Sequence, residues 1–189
     1  LSQVPVQQLT LAERAEIIAR FFDLNHSQML FPYPRYKELW ERREHFKPHC
    51  NEMELASHFQ DQDILDLTVW FHLAWTDPWL CQAHYPELQQ LKEKGQHFTE
   101  YERKLLLHTH LEILRAIIPT YRQFLQKGQI ELTTTPYYHP ILPLLIDTQS
   151  AQISQPEMIL PKHHFAYPED AKAQLIKGYE AFKRYFGQV

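Results

Sequence analysis

The chain has 189 residues, of which 44% are apolar and 22% charged, with a net charge of −4 and a pI near 6.3. That is enough to core one domain, or one large piece of a bigger one, and it excludes disorder for the bulk of the chain. The weakly acidic balance leaves no electrostatic footprint for nucleic acid, and no apolar run approaches the roughly 18 residues of a membrane span.

Thr10 and Glu13 form a capping box, so a helix is predicted from there to about Phe22, with Leu11, Ala15, Ile18, Phe21 and Phe22 on one stripe. Residues 30–34 read as an aromatic loop. Pro34 opens a second helix, roughly Arg35 to His45, broken by Pro48, His49 and Cys50. Asp61 and Asp63 are read as caps of a third, Ile64 to Trp75, which is apolar almost all round and therefore central. Thr76, Asp77 and Pro78 end it. A short helix from Pro86 to Lys94 is closed by Gly95 as a left-handed cap.

A second capping box, Thr99 with Glu102, starts the longest helix, to about Lys127, with Pro119 inside it as an expected kink. Gln129 to Thr135 is β-branched and alternating, and is read as the one convincing strand, terminated by Pro136. Tyr137, Tyr138 and His139 form a loop, and Pro140 to Ile146 a short helix. Residues 147–166 read as irregular, and Pro168 opens a last helix to Phe186. A lone strand needs ladder partners from elsewhere. Leu1 is not an initiator Met, Val189 follows directly on a helix, and no signal peptide is visible, so the chain is expected to be an internal piece of a longer protein.

The chain has only 4 glycines, too few for a complete α/β enzyme with its turns and ligand loops, and too few for a phosphate-binding loop. The expected fold class is therefore mainly α with one or two short strands. Two cysteines, Cys50 and Cys81, build neither a disulfide framework nor a zinc site, and place the chain in a reducing, cytoplasmic setting. The 12 histidines invite a metal reading, but residues two apart on a helix diverge, so His108 and His110 cannot chelate from it. His45 and His49 straddle Pro48, and His163 and His164 sit in a loop. No metal and no cofactor is expected. Trp70, Trp75 and Trp79 fit either a sugar platform or, at helical spacing, the core.

The sharpest candidate site is the strand-to-loop junction. Glu131 lies between Ile130 and Leu132, and a carboxylate on a buried strand is costly unless it is paired. Two phenols and an imidazole follow at the strand's carboxyl end, the ligand-binding edge in barrels and open α/β sheets. The bland alternative is an exposed edge-strand Glu beside a packed aromatic loop.

The run from Gly128 through Gln129-Ile130-Glu131-Leu132 and Thr135-Pro136-Tyr137-Tyr138-His139-Pro140 to Leu145 resembles glycoside hydrolase family 57, the branch of α-amylase and amylopullulanase-like enzymes. Pro34-Arg35-Tyr36, Asp66-Leu67 with Trp70-Phe71, Leu73-Ala74-Trp75 with Asp77-Pro78, and Pro168 to Gly187 add weaker matches in the same order. The resemblance implies an incomplete seven-stranded (β/α) barrel with helical insertions, acting on α-glucans with retention through a Glu nucleophile and an Asp acid/base. It implies residues 1–127 as a helical insertion and 128–189 as barrel strand, substrate loop and following helix. Glu131 and His139 would line the sugar subsite, with Tyr137 and Tyr138 shaping its wall. The family's first conserved region, ending in His-Gln-Pro, and its nucleophile and acid/base segments have no counterpart here, so no catalytic residue is assigned. The chain alone is expected to be inactive, with α-glucan as the parent protein's partner and self-association through uncovered apolar surfaces. Two other classes stay open: a freestanding helical module binding a glycan or a protein, and a metal-dependent polysaccharide deacetylase-like enzyme using the histidines.

Overall fold

The computed structural model describes residues 1–187. Ten α-helices follow one another among them: α1 (Leu11–Arg20), α2 (Pro34–Phe46), α3 (Glu52–Ser57), α4 (Asp61–Ala74), α5 (Pro78–Ala83), α6 (Pro86–Lys94), α7 (Glu100–Gln126), α8 (Leu142–Ile146), α9 (Ala151–Ser154) and α10 (Pro168–Phe186). The chain divides into two compact units, Leu1–Leu114 and Arg115–Val189, the division falling within α7. The fold is mainly helical, as composition predicts. The expected strand is not formed: residues 130–136 are irregular, and no strand occurs among the described residues. The physical reason is the one its isolation raises, since a strand without a ladder partner leaves its amides and carbonyls unpaired.

In the first unit, local chemistry sets the helix starts. At α1, Thr10 N donates to Glu13 Oε2 at 2.8 Å and Glu13 N to Thr10 Oγ1 at 3.3 Å. At α7 the same reciprocal pair joins Thr99 and Glu102. Two helices fall where the sequence reads as breaks. Asn51 caps α3 in a box with Glu54, and Asp77, read as a terminator, accepts from Trp79 N and Leu80 N to start α5. At α4 the cap is Gln60, while Asp61 and Asp63 lie inside the first turn and Asp63 accepts from Gln60 N. Gly95 ends α6 at φ +75°, the left-handed conformation that glycine adopts without a Cβ penalty.

α4 is the centre of this unit. Ile64, Leu67, Val69, Trp70 and Leu73 are buried on several faces, with Ile17 and Ile18 from α1, Phe22 just after it, Tyr36 and Leu39 from α2, and Leu106 from α7. Its buried acids are met by α2: Arg35 reaches Asp66 at 2.9 Å and Asp63 at 2.7 Å, and Arg42 reaches Asp63 at 2.7 Å. The opening segment is tied down as well. Buried Arg103 donates to the carbonyls of Val4 and Gln3, Glu100 accepts from Val6 N at 2.8 Å, and the Ser2 hydroxyl meets His72 Nε2 at 2.9 Å.

The second unit is organised on α10. Tyr167 N donates to Leu145 O, joining the start of α10 to α8, and Thr148 N donates to Phe165 O. Few apolar side chains are sequestered here: only Ala171 and Gly178 of α10 are buried, while Ile153, Ile159 and Tyr179 are exposed.

Candidate functional site

The segment 135–139 is held on the middle of α10 by a close approach that only glycine permits. A Cβ on Gly178 would stand 2.6 Å from Thr135 O and 3.2 Å from Tyr137 N. Glycine costs a helix interior roughly 1 kcal/mol against alanine, and here the missing side chain lets backbone lie against backbone. One turn earlier, Gln174 completes the attachment. Its carbonyl accepts from Tyr137 N at 3.1 Å, and its side-chain Oε1 accepts from Tyr138 N at 2.8 Å. His139 N then closes a turn onto Pro136 O at 2.8 Å, with His139 at φ +53°. A non-glycine residue in that region stores backbone strain, a feature that clusters at ligand clamps and active sites.

The consequence is a fixed pair of phenols. The rings of Tyr137 and Tyr138 stand edge to face, centroids 4.8 Å apart and planes at 84°, and both are exposed. They line a groove of about 410 Å³ with Lys177, Glu180, Ala181, Arg184 and Tyr185 of α10. That lies within the range of about 300–1,000 Å³ typical of small-ligand sites. Tyr137 and Tyr138 are thus brought together, whereas Glu131 and His139 are exposed and stand outside the groove's lining. The cost of a buried carboxylate therefore does not arise at Glu131. Gly178, Gln174 and the α10 side chains were not singled out by sequence. The only available signal was one glycine in the interior of a strongly periodic helix.

The other sequence candidates separate cleanly. Trp70 is core, donating Nε1–H to Gly95 O, but Trp75 and Trp79 are 59% and 63% exposed and are not core residues. Trp75 borders an apolar cavity of about 260 Å³ with Leu80, His110 and Leu114. His108 and His110 diverge as their spacing requires. The first meets Glu112 at 3.3 Å and the second the Thr76 hydroxyl at 2.6 Å. His164 sits 3.0 Å from Asp147, whose carboxyl is held below its ordinary range by the Gln149 amide first and by His164 second. Among the described residues no group of three or more His, Cys, Asp or Glu is placed to hold a metal ion, and no helix is long and apolar enough to cross a membrane. Cys50 and Cys81 are both free thiols.

No curated protein and no solved structure matches the chain. The family model described as Glycosyl hydrolase family 57 matches residues 8–189, spanning the helices of the first unit, the tyrosine loop and α10. The function class is accordingly that of glycoside hydrolases, acting on a glycan, and the chain belongs to glycosyl hydrolase family 57.

Proposed function

We propose that the chain is the sugar-contacting portion of a retaining α-glucan hydrolase or transglycosidase, and that by itself it binds glucan without turning it over. In this reading Glu131 accepts hydrogen bonds from hydroxyls of the glucose unit being processed, His139 lines the same subsite, and Tyr137 and Tyr138 form its wall. The observation that carries it is the family match across the whole Gly128–Leu145 run. The strained His139 backbone and the anchored phenol pair support it. Retention needs a carboxylate pair about 5 Å apart, and no segment of these residues resembles the family's nucleophile or acid/base regions. The barrel that would complete the subsite, and a cytoplasmic setting consistent with two free thiols, belong to the same proposal.

Soluble starch tests the inactivity directly: no new reducing ends are expected from the purified chain, and turnover without added protein would contradict it. Within an active protein containing this segment, Glu131→Gln is expected to lower kcat/KM at least about tenfold with an unchanged circular dichroism spectrum, through loss of a charge-assisted hydrogen bond to substrate. Unchanged kinetics would remove Glu131 from the site.

A further inference from the structure

Burial does little to fix the tyrosine pair, since Tyr137 is 50% and Tyr138 73% exposed. The segment runs antiparallel to α10: Thr135 O lies against Gly178, and Tyr137 N reaches Gln174 O, one turn nearer the helix start. Among the described residues, both hydrogen bonds that tie residues 137 and 138 to α10 end on Gln174, one on its main chain and one on its side chain.

The sequence of α10 provides for each bond. A helical carbonyl points toward the residue four ahead, so Gln174 O is directed at position 178. A side chain at 178 would lean back over that turn and cover the carbonyl. Gly178 leaves it open, and a loop amide takes its second lone pair. The residues flanking these two on the same stripe, Ala171 and Ala181, carry no polar side-chain atom. Gln174 therefore supplies the one side chain on the stripe able to accept the second amide. An N–H only donates, which sets the side-chain amide with Oε1 toward Tyr138 N. Two successive amides caught by one residue hold the backbone at 137–138 in a single conformation, and with it the edge-to-face arrangement of the rings. We infer that Gln174 is the positioning residue of the tyrosine pair, holding the two phenols in the relative orientation in which they line the groove. What that orientation does for a ligand rests on the reading of the phenols as a subsite wall; the positioning itself does not.

The test compares the 189-residue chain with its Gln174→Met and Gln174→Glu variants. Methionine keeps the length and helix propensity of glutamine but accepts hydrogen bonds only weakly, whereas glutamate keeps the acceptor oxygen. In the methionine variant the Tyr138 amide is expected to exchange hydrogen about five- to tenfold faster, with a smaller change at Tyr137, whose partner is main chain. Ring protons of the edge-on phenol, shifted upfield by the face of its neighbour, are expected to move toward free-tyrosine positions. Glutamate is expected to restore both readouts. Parent-like exchange and ring shifts in the methionine variant would overturn the inference. So would a glutamate variant as loose as the methionine one, since packing and not the acceptor would then hold the loop. In an active protein containing this segment, Gln174→Met is expected to raise KM about five- to tenfold and leave kcat within about twofold, because a wall touches ground and transition states alike. A loosened pair with unchanged KM supports the positioning and removes the two tyrosines from the subsite wall.

Discussion

Asp66 has no exposed surface, and both of its oxygens are occupied. Arg35 Nε and His97 N donate to one, and Gln62 Nε2 and Phe98 N to the other, at 2.9–3.3 Å. Such a carboxylate ties α2, α4 and the approach to α7 into one arrangement. Removing it leaves Arg35 half-paired and two amides unsatisfied. Asp66→Ala is expected to destabilise the chain by about 3–5 kcal/mol, read as a lowered midpoint in urea unfolding. His72 works in the opposite sense. Burial, then the nearby charges of His110 and Arg103, push its pKa from about 6.5 to about 4, and His110 is lowered too, by burial and by Lys92. A histidine whose folded pKa is depressed binds its proton first in the unfolded chain. Stability is therefore full above pH about 6.5 and falls as pH drops toward 4, by up to about 3 kcal/mol for His72. The Ser2 contact should loosen in the same window. Unfolding midpoints at pH 7 and pH 5 check this, with a smaller difference expected in His72→Gln. A pH-independent midpoint would contradict it.

At the scale of elements, Gly178 is the position on which the tyrosine loop depends. Gly178→Ala raises helix propensity by about 1 kcal/mol, yet it drives a methyl into Thr135 O. The loop is expected to lift, with the amides of Tyr137 and Tyr138 exchanging hydrogen much faster while those of α10 stay protected. Unchanged protection would mean that the close approach is not what holds the loop. Which elements could be read in advance follows from how local their causes are. Thr10–Glu13 and Thr99–Glu102 act within one turn, so α1 and α7 begin where their sequences say, and Gly95 ends α6 for an equally local reason. Asp77 ends one helix and starts the next, and sequence shows only the first act. The run from Gln129 to Thr135 has strand composition, but a strand is a relation between segments, and no partner is present among the described residues. The groove was half legible, since the paired tyrosines stand out in sequence whereas the contact that brings α10 to them is tertiary.

Taken whole, the chain is unevenly cored. The first unit buries side chains from most of its helices, but in the second Ile153 and Ile159 are 86% and 96% exposed, and Leu175, Ile176 and Tyr179 of α10 are exposed as well. Apolar surface on that scale favours association. Sedimentation velocity over rising concentration should show a growing average mass, and a strictly monomeric chain would overturn the expectation. Charge modulates the effect. Net charge is −4 at pH 7, and the histidines carry the chain through neutrality near pH 6.3, where repulsion between copies is weakest and association should peak. All four indoles, Trp40, Trp70, Trp75 and Trp79, belong to the unit ending at Leu114. Ultraviolet emission excited at the red edge therefore watches that unit alone and is blind to events around α10, which only phenol absorbance records. Phenol absorbance draws on both units, on Tyr33, Tyr36, Tyr85 and Tyr101 in the first and on Tyr121, Tyr137, Tyr138, Tyr167, Tyr179 and Tyr185 in the second, so a gap between its melting curve and the indole curve measures how far the second unit loses structure separately.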